Sequence, residues 1–235
     1  MWPAWHIARR DLLAAFSTPL AWLVIACWTL LTNLLFLRQI EAYHGTSGSP
    51  EPLYLSPLSI GMLFLTLLAP ALTMNSFAAE RSQGTMQLLL TVPVREWHLV
   101  IGKFVASLAL ATLAQVIVLY VVSAIHIPQL LAGYCGFLLL AAFLSALGVW
   151  ISLLVESPVV AYVLTFAVIT VLYLVGVGSD SGAMALVNRA CGLMDRWSPF
   201  LAGEVVLANL VWFSAYIAGF LILAHAALSA RRIHG

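Results

Sequence analysis

Charge is what this 235-residue chain has least of. Asp, Glu, Lys and Arg make up 8% of it, against about 25% in soluble globular domains, so no water-facing shell can be drawn over its surface. The net charge is +1, and without clustered Lys and Arg there is no nucleic-acid footprint. Cysteine is scarce too. Cys27, Cys135 and Cys191 are odd in number and lack CxxC spacing, and two fall in apolar runs. They read as small buried hydrophobes rather than a disulfide framework or metal site. No GxxxxGK(S/T) stretch supplies a phosphate cradle, no HExxH binds a metal, and the six histidines are scattered. No pair of carboxylates sits deep in an apolar run, where a proton-driven carrier would keep its ionisable groups. Glu156 and Glu204 fall at run ends, which suits interface anchoring.

Apolar residues are abundant: 63% of the chain is hydrophobic and the mean hydropathy is +1.04. The bilayer is therefore the solvent for most of it. Runs free of charge lie at 12–37, 52–79, 104–155, 157–179 and 205–230. A crossing helix needs about 20 apolar residues, so the third run is long enough for two. Ile125-His126-Ile127-Pro128-Gln129 is its natural break, because proline removes a donor. The expected fold is all-α, one membrane domain over 1–235 with six spans near 19–38, 58–79, 99–125, 130–155, 158–178 and 204–228.

With both termini inside, Arg9, Arg10, Arg81, Arg95, Lys103, Arg231 and Arg232 are cytoplasmic. Only Arg38, Arg189 and Arg196 are outside. That asymmetry satisfies the positive-inside rule. Asp11, the length of the first run and the lack of an A-x-A site argue for a retained first span over a cleaved signal. Trp5, Ala8, Leu12, Ala15 and Phe16 recur at helical spacing until Pro19. They describe an interfacial helix over 4–17 with Trp at headgroup depth, or an extension of the first span. Ala183, Leu186, Val187, Ala190, Leu193, Met194 and Trp197 form the apolar stripe of an outer amphipathic helix that Pro199 ends. It rests on the leaflet or belongs to a re-entrant cap.

The conspicuous polar device lies between the second and third runs. Glu80-Arg81-Ser82-Gln83-Gly84 breaks the span on the cytoplasmic side. Thr85 can cap a short helix over 86–90, which ends before Pro93 because the residue preceding proline disfavours helix. Leu88, Leu89 and Leu90 are too apolar for an idle loop and predict packing against a partner or the interface.

The segment Met74-Asn75-Ser76-Phe77-Ala78-Ala79-Glu80-Arg81-x-x-Gly84-Thr85-Met86-Gln87-x-Leu89-Leu90-Thr91-x-Pro93-Val94, then Gly102-Lys103-Phe104, resembles the type-2 permease subunits of ATP-binding cassette (ABC) exporters. It is closest to the branch with the gliding-motility and copper-maturation permeases. Pro199-Phe200-Leu201-Ala202-Gly203, Trp212-Phe213, Phe220-Leu221 and Leu228-Ser229-Ala230-Arg231-Arg232 resemble the way such subunits close. Many relatives carry an acidic pair at Ala79-Glu80 and an acid at Gln87.

The resemblance implies a coupling helix that seats in a separate ATPase subunit, with the N-terminal helix beside it. Glu80 and Arg81 would make the polar contacts, Gly84 the bend, Thr85 the cap, and Met86 and Leu89 the apolar key before Pro93. The chain itself would be no enzyme and hold no cofactor, since ATP and Mg bind the partner. Further expected partners are a second permease copy, identical or not, and membrane lipids. The expected location is a bacterial inner membrane, and the expected activity is export along the dimer seam. Asn33, Asn75, Gln115 and Asn209 would line that seam or satisfy a neighbouring helix. Two other readings stand beside this one. One is a non-transporting membrane scaffold or a haem-export-type permease of cytochrome maturation, which cytochrome-assembly neighbours in the genome would support. Gly45-Thr46-Ser47-Gly48 resembles the nucleophile motif of rhomboid proteases, with His225 as the base of an intramembrane serine hydrolase, although a solvated turn accounts for a serine in a Pro-rich loop.

Overall fold

A backbone in hydrocarbon has no water to satisfy its N–H and C=O groups, so an apolar chain must close them within each segment, as helix. The computed structural model describes residues 3–17, 19–45, 55–86, 95–122, 127–175, 187–188 and 191–234, and among these the regular elements are helices. They are α1 Pro3–Ser17, α2 Pro19–Gly45, α3 Leu55–Thr73, α4 Ala78–Ser82, α5 Glu96–Val122, α6 Ile127–Leu154, α7 Pro158–Val175, α8 Leu193–Leu201 and α9 Leu207–His234.

Among the described residues five stretches are long and apolar enough to cross a membrane: Ser59–Ser82, Glu96–Leu113, Leu131–Leu154, Pro158–Val175 and Leu207–Ala230. In α2, expected as the first span, the apolar stretch found is the shorter Ile25–Leu35. The hub of the bundle is α6. Its membrane stretch is 78% buried, against 17% for those of α7 and α9, and it packs on α3, α5, α7, α8 and α9. Phe137, Leu140, Phe143, Leu144 and Leu147 of α6 meet Trp28 of α2, Met62 and Leu65 of α3, Ile169 of α7, Trp197 and Phe200 of α8 and Phe213 of α9. A second, smaller core lies at the other end of α6, around Phe77, Met86, Leu99, Val100, Val149, Leu153, Ala224 and Leu228.

Several boundaries depart from expectation, each for a local reason. The regular helix α3 ends at Thr73, although the apolar stretch expected at 58–79 runs on through the turn to Ser82. Thr73 bonds back to the carbonyl of Ala69 at 2.8 Å, and a four-residue turn separates it from α4. Pro128 does not fall in the break before α6 but in its first turn, where a missing N–H is one of the unpaired donors anyway. Pro199 does not end the outer helix either, since α8 runs through it to Leu201. The stop is Gly203, at φ +86°. There the Gly203 N–H donates to Phe200 O and the Glu204 N–H to Pro199 O, the Schellman pattern that needs a left-handed residue. Of the proposed stripe over 183–197, only 187–188 and 191–197 are described. On α1, which packs on α5, Ala8 is buried and Trp5 is 60% exposed. None of the three cysteines is buried, and Cys27 is exposed on α2.

Candidate functional site

Six charged residues from four parts of the chain converge at one end of the bundle. Lys103, in the second turn of α5, is 3% exposed. Its ammonium donates to Glu80 Oε1 at 2.9 Å and to Asp11 Oδ2 at 3.4 Å and lies 5.0 Å from the centre of the Phe77 ring. A buried ammonium persists only when paired in this way. Arg10 of α1 bonds Asp11 at 2.9 Å and stands 3.8 Å from Glu80. Asp11, Lys103 and Glu80 thus join α1, α5 and α4 through one cation.

The neighbouring residue points the other way. Arg81 donates to Val155 O at 3.2 Å and Leu153 O at 3.5 Å, at the carboxyl end of α6, and to Glu156 Oε1 at 2.6 Å. The last carbonyls of a helix lack intrahelical partners and carry partial negative charge, which a guanidinium satisfies. Glu156, expected as a simple interface anchor, is therefore the partner of Arg81.

Gly84 closes α4. Its φ is +70°, with Gly84 N–H on Arg81 O and Thr85 N–H on Glu80 O. Thr85 Oγ1 also donates to Glu80 O at 3.1 Å, so it finishes the preceding helix; its expected role as cap of the next one falls on residues 87–90, outside the described set. Met86, expected as part of an apolar key for a partner, is 8% exposed and packs into the chain's own second core. Leu89 and Pro93 lie outside the described residues. Gly84 and Thr85 are exposed.

The proposed seam residues are dispersed. Gln115 is buried and accepts Trp28 Nε1–H at 3.2 Å. Asn209 is buried and accepts from Arg196 at 3.2 Å, at the opposite end of the bundle. Asn33 donates to Thr29 O on its own helix at 2.7 Å. Asn75 is exposed in the turn between α3 and α4. Ser47 lies outside the described residues, and His225 sits 3.9 Å from Glu96 with its ring 4.2 Å from that of Trp97.

Of the residues at this end, Ser152 was not singled out by its sequence, and Asp11 and Glu156 were noted only against a cleaved signal and as an interface anchor. A lone Ser in an apolar helix carries no signal, and Glu156 meets Arg81 across 75 positions and Asp11 meets Lys103 across 92. Gly102 had been noted only beside Lys103. A Cβ there would lie 2.9 Å from Ala4 O and from Ile7 Cβ, so its absence lets α1 seat on α5.

The arrangement contains ion pairs, helix caps and packing, and it is equipped to hold a short helix rigidly at one face. Among known proteins, a model of the ABC-2 family transporter proteins matches residues 11–202. No curated protein matches the chain.

Proposed function

The chain belongs to the ABC-2 family of transporter proteins, and from that premise we propose that it is the permease half of an exporter driven by a separate ATPase through the segment from α4 to Pro93. ATP and Mg bind the ATPase. Two permease copies face each other, and substrate passes along their seam. The segment is the coupling handle, seated in a cleft of the ATPase, with α1 beside it. On this reading α2 completes a set of six spans, both termini and the charged end face the cytoplasm of a bacterial inner membrane, and the closest branch is that of the gliding-motility and copper-maturation permeases.

The observation that carries the reading is the anchoring of α4. Glu80 and Arg81 are tied into the body by Lys103 and by the end of α6, while Gly84 and Thr85 face outward. A handle fixed at its root transmits force. Glu80 and Arg81, first expected to grip the ATPase directly, serve the root in this scheme, and the grip falls to Gly84 onward. The arginines and lysine at this end accord with the inward bias of positive charge.

The test is isolation of the tagged chain from its native membranes. An ATPase subunit should co-purify, and Gly84→Val should lower its ATP turnover without lowering membrane insertion. A Glu80→Ala, Gly84→Val double variant that co-purifies with the ATPase and cycles normally refutes the coupling role.

A further inference from the structure

The turn between α3 and α4 is held by a side chain from elsewhere. Phe77, at the N-terminal boundary of α4, offers no capping side chain. In its place Ser152 Oγ, from α6, accepts the N–H groups of Phe77 and Ala78, both at 3.0 Å, and donates to Met74 O at 3.3 Å. One donor and two lone pairs are the whole capacity of a hydroxyl, and all of it is used here. Phe77, Ala78 and Ser152 are each 0% exposed, so water cannot stand in. One turn earlier on α6, Gly148 lets Thr73 approach: a Cβ at 148 would lie 2.1 Å from Thr73 Oγ1. Three positions along, Arg81 binds the last carbonyls of the same helix and Glu156 of the turn into α7. Both ends of α4 are therefore fastened to one stretch of chain, 152–156.

We propose that Ser152 and Arg81 are positioning residues that carry the stroke of the coupling segment into the turn between α6 and α7. This rests on the transport reading above. Residues 152–156 end the most buried helix of the bundle, so displacement of α4 reaches the core through them first. The ion-paired side, through Glu80 and Lys103, instead leads to α1 and α5. The chain thus has two exits for one input, and the Ser152–Arg81 exit is the one that reaches α6.

The test is amide hydrogen exchange on the complex isolated with its native ATPase, with and without ATP plus orthovanadate. In the unmodified complex, exchange in 155–157 should change by about tenfold, equivalent to about 1.4 kcal/mol in a two-state equilibrium, and in Ser152→Ala by under about twofold. ATP hydrolysis should continue in that variant. Glu156→Lys, at a side chain that is 79% exposed, sets a cation against Arg81 with little risk to folding, and should blunt the same response. If Glu156→Lys keeps the full response, or Ser152→Ala folds and keeps it, the proposal is overturned. If the unmodified complex contains no ATPase, the transport reading itself fails, which separates the two.

Discussion

Lys103 is the residue whose loss should report most clearly on how this end of the protein is held. Lys103→Met keeps the length of the apolar stem and removes the ammonium. At 2.9 Å from Glu80, the Coulomb attraction at an effective dielectric of ~20 is of order 5–6 kcal/mol before desolvation is subtracted. Breaking a buried pair by removing one partner costs about 3–5 kcal/mol. The Glu80 and Asp11 side chains keep 19% and 24% of their exposure, so water recovers part of that loss. The expected cost is about 2–3 kcal/mol, or roughly 4–12 °C in melting temperature at about 2–4 °C per kcal/mol for a chain of this size. The assay is thermal unfolding in detergent, with hydrogen exchange of α1 as a local readout. Exchange in α1 should rise, because Lys103 ties Asp11 to α5. A Lys103→Met, Glu80→Gln pair should lose less than the sum of the single variants, since they share one contact. A variant that melts within about 1 °C of the parent, with α1 exchange unchanged, refutes this account.

Two further outcomes follow from packing. Gly102→Leu should lift α1 off α5, because even a Cβ at 102 would sit 2.9 Å from the backbone of Ala4. Protease sensitivity of α1 should rise while α6 stays protected. Gln115→Leu should leave Trp28 Nε1–H without its acceptor in a buried, apolar setting, at a cost of about 1–3 kcal/mol in a detergent melt. Transport turnover at equal folded protein should stay unchanged, because Gln115 bonds a neighbouring helix.

Much of the fold was legible because the bilayer imposes one rule on the backbone. Apolar runs of spanning length must be helices, and the helices found in the second to fifth runs fall where those runs lie. The polar segment at 80–85 was legible for the same reason, as an interruption that hydrocarbon does not tolerate, and Gly84 as the residue able to turn it. The orientation of α1 was less legible. Its stripe placed Trp5 with Ala8, but which flank meets α5 depends on the gap left by Gly102. The end of α3 was not legible at all. Nothing near Thr73 announces a stop, because the groups that stabilise the turn belong to Ser152.

By itself the sequence determined the solvent, the helical class, the number of long apolar runs and the place of the polar interruption. These depend on hydrophobicity and backbone satisfaction, both local properties. Only the tertiary structure decided that Glu80 and Arg81 face opposite supports, that Lys103 is buried between two carboxylates, and that a serine of α6 caps a helix 74 residues earlier. Those are pairings between groups far apart in the chain. A charge or hydroxyl acquires its role from whichever partner packing brings within about 3 Å, and that partner is not encoded in its own neighbourhood.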